Sequence, residues 1–263
     1  MNIIKKLISF NYTKNNSNRK IDYIVIHYTA GTTSKKGSAL NTVLYTFNNP
    51  KTGGSAHYVV DNIEVVQCVE DRNTAWHCGT TGKYKHSKCR NSNSLGIEIC
   101  SNHNSFKGYD LTPASDKGWY FTEDALNLSA ELTANLMVKY NLSLDRVIRH
   151  YDVTGKDCPS PMVDANKNGP DNWIKFKEKV KKYYDIITIK NSVNIDFEAS
   201  NQNKGGVEPV VYHALEEVPE WGKTQVKWFI DNGYLTGIGK GDLSITEDLL
   251  RVLIILYRVL NKE

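Results

Sequence analysis

The chain has 263 residues, of which 40% are hydrophobic and 24% charged, with a formal net charge of +4. That composition belongs to a soluble globular protein long enough for one large domain and one small one, and no apolar run approaches the roughly 18 residues needed to span a bilayer. Residues 1–185 carry 25 Lys+Arg against 18 Asp+Glu, and residues 186–263 carry 8 against 11, so the front of the chain suits an anionic polymer or simply has a lysine-rich surface, with neither nucleic acid nor membrane expected as a partner.

The N-terminal stretch MNIIKKLISFNYTKNNSN has lysines but only a broken apolar segment. That falls short of the roughly 7–15-residue core of a secretory signal, so synthesis in the cytoplasm without a signal peptide is expected. Ile21–His27 (IDYIVIH) is β-branched and almost continuously apolar, as a strand buried on both faces reads. It ends in a loop of small and hydroxyl residues. Ala39–Phe47 spaces its apolar positions like a helix lying on a sheet. Ala56–Asp61 and Glu64–Val69 predict a hairpin turned at Asp61-Asn62. Asp71–Asn93 is a long polar loop with Trp76-His77 inside it, and long loops held by a scaffold tend to carry function. Leu95–Ser101 is a second buried strand, interrupted by one charged residue, Glu98. A polar insertion, Asn102–Lys117, precedes a helix from Thr122 through Tyr140, whose Glu123 and Asp124 favour a helix N-terminus. A short strand at Val147–Ile148 then leads into an irregular segment ending at Pro161, and Asp171–Tyr184 is a basic amphipathic helix. Strands alternating with helices make residues 1–185 α/β, with a mixed central sheet flanked by helices.

Residues 186–206 begin strand-like and decay into Asn, Gln, Lys and Gly, a linker by composition. Residues 207–263 predict a small helical module. Its two helices lie around a glycine-rich turn (Gly237, Gly239, Gly241), with Ser244 and Glu247 as a capping box on the second.

His150, Lys156 and Cys158 share the segment after Val147. Imidazole nitrogen and thiolate sulfur are both good Zn²⁺ ligands. A structural zinc usually arrives in Cys-x₂₋₄-Cys pairs, which this chain lacks, so the segment points to a catalytic site with a third ligand from elsewhere. His27, at the end of the first buried strand, supplies it. The five cysteines are an odd number in a long chain. That argues against a secreted disulfide framework and for mostly free, buried thiols.

The succession IVIHYTAG, SAHYVVD, TAWHCG, SLGIEICS and RHYDVTGKDCPSP resembles the type-2 N-acetylmuramoyl-L-alanine amidases. These are peptidoglycan-cleaving enzymes related to peptidoglycan recognition proteins and to phage endolysins. The resemblance runs from about Ile21 to Tyr184. It implies His27, His150 and Cys158 as zinc ligands and Lys156 as the group that stabilises the oxyanion. Glu98 is the general base and acid by this resemblance, since Ala56 stands where other members carry a tyrosine. His57, Trp76 and His77 are implied as groove residues that contact sugar or stem peptide.

The tail resembles the helical modules that follow amidase domains in clostridial-type phage endolysins, and implies attachment to wall polymers. Val252–Leu256 is apolar enough for self-association or for packing on the module's own first helix. The expected whole is a zinc-dependent peptidoglycan hydrolase, a phage or prophage endolysin released to the wall through a holin-type membrane lesion. Two other readings stay open: a peptidoglycan-binding protein without catalysis, and a thiol hydrolase built on Cys158 and His150.

Overall fold

A computed structural model of the chain describes residues 2–15, 17, 19–31, 33–79, 83–108, 111–166, 168–201, 210–235, 237 and 242–261, with the backbone alone for 189–201, 259 and 261. Two compact units result, Met1–Tyr184 and Asp185–Glu263. The first runs in the order β1 (Ile3–Lys5), β2 (Tyr12–Thr13), β3 (Tyr23–Tyr28), and α1 (Ser38–Asn41) continued by a π-helical stretch (Thr42–Phe47). Next come β4 (Tyr58–Val60), β5 (Val65–Gln67), β6 (Thr74–Ala75), β7 (Ser94–Ile99), β8 (Asn102–His103), β9 (Trp119–Tyr120) and α2 (Glu123–Tyr140). The last elements are β10 (Val147–Arg149), α3 (His150–Thr154) and α4 (Gly169–Asn201), which continues past the division between the units.

The central sheet has the order β1-β5-β4-β7-β3-β10. Only β4 and β5 pair antiparallel; the other pairs are parallel. This is the mixed sheet expected from the alternation of strands and helices. All six residues of β3 are buried, as its unbroken apolar run requires. Asp61, wholly buried at the hairpin turn, satisfies three backbone N–H groups: Oδ1 accepts from Ile63 and Glu64, and Oδ2 accepts from Ala39 at the start of α1. One carboxylate thus sets both the hairpin and the helix that covers it. Thr122 caps α2 by accepting from the Ala125 N–H, and Asn141 ends that helix in the left-handed conformation.

Several sequence expectations change. The N-terminal run, for which no element was predicted, holds two strands: β1 adds to the edge of the sheet beside β5, and β2 pairs with β6. The segment after β10 is not irregular throughout, because His150 opens α3 and Gly155, at φ 84°, closes it. Residues 186–201 are neither strand nor extended linker but a continuation of α4. Their β-branched residues favour a strand locally, yet no glycine or proline interrupts the chain between Pro170 and Gly205, so nothing breaks the helix. The rest of the expected linker, 202–206, lies outside the described residues.

In the second unit, β11 (Val211–Tyr212) pairs antiparallel with β12 (Ile245–Thr246), and α5 (Glu220–Asp231) packs on α6 (Glu247–Asn261). Val226, Phe229, Leu250, Leu253 and Leu256 form its core. The apolar stretch Val252–Leu256 therefore turns Leu253 and Leu256 inward against its own partner helix, and leaves Ile255 exposed. The cap of α6 is Thr246, whose Oγ1 accepts from the Leu249 N–H, and not Ser244, which instead bonds to Asp242. Gly239 and Gly241 lie outside the described residues. Among the described residues, no helix is long and apolar enough to cross a membrane.

Candidate metal centre

His27 and Glu98 are register partners on the parallel neighbours β3 and β7. Residues directly opposite in adjacent strands point to the same face, so the pairing alone sets the imidazole beside the carboxylate. On the other side of β3, Arg149 of β10 pairs with Ile26, which brings the next residue, His150, level with His27. The His27 and His150 rings lie 4.8 Å apart between centroids.

Cys158 reaches the same place by a folded-back segment. The Tyr151 N–H donates to the Cys158 carbonyl at 2.8 Å, and Arg149 clamps the segment from beneath. Its guanidinium donates to Asp152, Asp164 and the Met162 carbonyl. His27, His150 and Cys158 consequently present ligand atoms within 4.8 Å of one another, all three buried. Within the cluster, His27 Nδ1 is 3.6 Å from Cys158 Sγ.

Two buried atoms here have no hydrogen-bond partner: His150 Nδ1 and Glu98 Oε2. Leaving a buried polar atom unpaired costs about 1–3 kcal/mol, so such atoms ask for a functional reason. A divalent metal supplies one. Two imidazole nitrogens and a thiolate are a common catalytic zinc donor set, and three protein ligands leave a position free. The fit is chemical as well as geometric. Burial, then the charge of Lys156, lowers the His150 pKa to about 3, and burial with the neighbouring His150 holds His27 well below its ordinary value. Both rings are therefore neutral ligands at pH 7. Burial, reinforced by Glu98, pushes the Cys158 thiol up. A bound cation reverses that direction, since a coordinated thiol loses its proton.

Burial raises the Glu98 pKa to about 8, partly offset by Lys156. Lys156 itself is exposed, and its side chain borders two hollows that meet at the cluster. One, of about 580 Å³, is lined by Trp76, His77, Asn91 and Gly155. The other, of about 450 Å³, is lined by Thr29, Thr42, Phe47, Glu98 and Ala114. The polar insertion after β7 walls this second side: Tyr28 Oη donates to the Ala114 carbonyl, Ser160 Oγ donates to the Asp116 carbonyl, and Trp119 packs with Tyr28 and Cys158.

The three expected groove residues part company. Trp76 is 42% exposed in the first hollow, its indole N–H donating to Thr13 Oγ1 of β2. His57 corrects the sequence reading. It is fully buried and borders neither hollow. Its Nδ1 accepts from the Gly96 N–H, and its Nε2 faces the Asn73 carbonyl and the Arg19 guanidinium. His77 lies between these cases, 8% exposed, with Nδ1 3.0 Å from His27 Nε2.

Sequence reasoning missed Arg19, whose guanidinium donates to the Asp71, Asn91 and Ser94 carbonyls. It also missed Ser94 and Asn91. The rival thiol-hydrolase reading gains no support: the hydrogen-bond contact of Cys158 Sγ is to His27 rather than His150, and a buried thiol with a raised pKa is the opposite of an activated nucleophile. All five cysteines are free and buried.

The family model described as N-acetylmuramoyl-L-alanine amidase (Amidase_2) matches residues 17–161. A probable N-acetylmuramoyl-L-alanine amidase of Bacillus licheniformis is 35% identical over 147 residues, which cover 53% of this chain and 36% of the relative. The N-acetylmuramoyl-L-alanine amidase CwlL of the same organism is 31% identical over 185 residues, 67% of this chain and 45% of the relative. The chain thus spans less than half the length of these two relatives. Among solved structures, the catalytic domain of XlyA aligns with a TM-score of 0.50 at 28% identity, covering 68% of this chain and 99% of that one. The PlyG catalytic domain aligns at 0.51 and 26%, covering 70% and 96%.

Proposed function

Because the chain belongs to the Amidase_2 family of N-acetylmuramoyl-L-alanine amidases, we infer that it is a zinc-dependent peptidoglycan hydrolase of the endolysin type. It cuts the amide between the lactyl group of N-acetylmuramic acid and the L-alanine of the stem peptide. The observation that carries this reading is the convergence of His27, His150 and Cys158 with Glu98 beside them and Glu98 Oε2 left without a hydrogen-bond partner.

In this reading His27, His150 and Cys158 hold the zinc. Bound there, the ion supplies a Lewis acid and acidifies a water molecule to a pKa of about 7. Glu98 takes a proton from the attacking water and returns it to the departing amine, a role suited to a carboxylate whose pKa lies near neutrality. The Lys156 ammonium holds the charge that develops on the carbonyl oxygen. The two hollows that meet at the cluster suit a substrate with two arms, a sugar and a peptide, and Trp76 offers an exposed aromatic face to one of them.

Residues 207–263 serve as the wall-attachment module. The separate core of the second unit and its outward apolar side chains, Trp221 and Ile255, support this role.

Mass spectrometry of wall fragments digested with the wild-type and Cys158→Ser proteins tests the reaction. New L-alanine N-termini are expected from the wild type alone. Fragments cut within the glycan, or within the stem peptide, sink the assignment.

A further inference from the structure

His77 is more than a wall of the groove. Its Nδ1 lies 3.0 Å from His27 Nε2, and its Nε2 lies 3.1 Å from Ser94 Oγ. Ser94 Oγ in turn lies 2.6 Å from the Arg90 carbonyl. The last member sets the direction of the whole row. A carbonyl oxygen only accepts, so the single hydroxyl proton of Ser94 goes to Arg90. Ser94 Oγ must then accept from His77, which puts the His77 proton on Nε2 and leaves a lone pair on Nδ1. That lone pair accepts from His27 Nε2–H. His27 is left with an unprotonated Nδ1, the atom that faces Cys158 Sγ.

We propose that His77 is a positioning residue that fixes His27 as the Nε2–H tautomer, through Ser94 and the Arg90 carbonyl, so that Nδ1 is the ligating atom. The ligating part of this statement rests on the zinc reading above; the tautomer part does not. The fold holds the ring from several sides. The Asn91 side-chain carbonyl accepts from the backbone N–H of both His77 and Cys78. Gly96 clears the space beside the imidazole, since a Cβ there would sit 2.6 Å from His77 Cγ. The Ser94 and Gly96 positions belong to β7, the strand that also carries Glu98. One strand therefore bears the carboxylate, the receiver for the His77 proton, and the gap that admits its ring. Such outer partners orient a ligating histidine and raise its basicity, and their loss typically weakens metal binding about 10–100-fold.

The test uses the full chain and two readouts. Long-range ¹H–¹⁵N spectra of the metal-free protein report which ring nitrogen carries the proton, and competition with a chromophoric chelator gives zinc affinity. In the wild type, His27 is expected as Nε2–H. His77→Phe keeps a ring but no acceptor; it should mix the His27 tautomers and weaken zinc binding about 10–100-fold. His77→Asn, whose Oδ1 can accept the same hydrogen bond, should stay close to wild type. Ser94→Ala keeps the His77 ring in place and should shift both readouts in the same direction by less.

The proposal is overturned if His27 carries its proton on Nδ1 in the wild type, or if folded His77→Phe binds zinc as tightly as wild type. It is equally overturned if His77→Asn is as weak as His77→Phe. Should His77→Phe not fold, an unchanged tautomer and zinc affinity in Ser94→Ala overturn it instead. A wild-type chain that holds His27 as Nε2–H yet binds no zinc overturns the metal reading and leaves the tautomer assignment standing.

Discussion

His27 Nδ1 and Cys158 Sγ lie 3.6 Å apart although 131 residues separate them in the chain. A cation held by these two donors, with His150 as the third, would offset the cost of their burial. Elemental analysis should therefore find one zinc per chain, lost on dialysis against a chelator together with activity and recovered on adding Zn²⁺. Cys158→Ser should bind zinc far more weakly. Full activity in the chelated protein would instead support a thiol mechanism.

Glu98→Gln should retain zinc and lose about 10²–10⁴-fold in turnover, the usual contribution of a positioned acid–base group. The same variant should change how stability depends on pH in the metal-free protein. The carboxyl titrates near 4.5 when unfolded and at about 8 when folded. Between those values the folded state holds a proton that the unfolded state has released, so stability falls as pH rises. The stability of metal-free wild type relative to Glu98→Gln, read from urea unfolding, should show this decline from about pH 4.5 to about 8, against the opposite rise that the depressed His27 and His150 give to both proteins at the acid end. Glu98→Gln should lack it and be the more stable protein at pH 8. Parallel profiles for the two proteins would contradict the buried carboxyl.

Lys156→Met should leave zinc content and melting temperature near wild type, because the side chain is exposed and borders the hollows. Turnover should fall about 10²–10³-fold, the range seen when one oxyanion donor is removed. A rise in KM alone would recast Lys156 as a residue that binds substrate.

Arg19→Met should act on stability. The guanidinium is largely buried, and burial lowers its pKa to about 10 despite the opposing pull of Asp71. Its removal strands three carbonyls, those of Asp71, Asn91 and Ser94. Loss of about 2–4 kcal/mol is expected in denaturant unfolding. Zinc affinity should fall less than in His77→Phe, since the His77 ring keeps its own partners.

The parts of this site legible in sequence are those whose chemistry is local. His150 and Cys158 share one short segment, His27 closes a buried strand, and Glu98 is the lone charge in an apolar run. Each is odd for its surroundings, and oddity can be read from neighbours. Ser94, Asn91 and Arg19 are ordinary residue types in ordinary places; only the sheet register and the course of the long loop give them their partners. His57 and His77 illustrate the limit from the other side. Both stand in recognisable motifs and both are buried, yet their partners separate them: His57 accepts from the Gly96 N–H, and His77 touches a proposed ligand. The same limit applies to backbone. β1 and β2 are only three and two residues long, too short to show a period, and they exist because β5 and β6 present open edges to them.

The position of β10 carries one more consequence. It is the outermost strand of the sheet, joined only to β3, through three residues. His27 belongs to β3, while His150 and Cys158 follow β10, so a shared ion would rivet the rim of the sheet to its interior. An ion that binds the folded site and not the unfolded chain would stabilise the folded state by mass action. Such an ion would act as a fastener, because its three donors come together only when β10 is docked on β3. Amide hydrogen exchange on either side of zinc removal should show the difference at Val147–Arg149 and at Tyr151, with the β3–β7 pair unchanged at the centre.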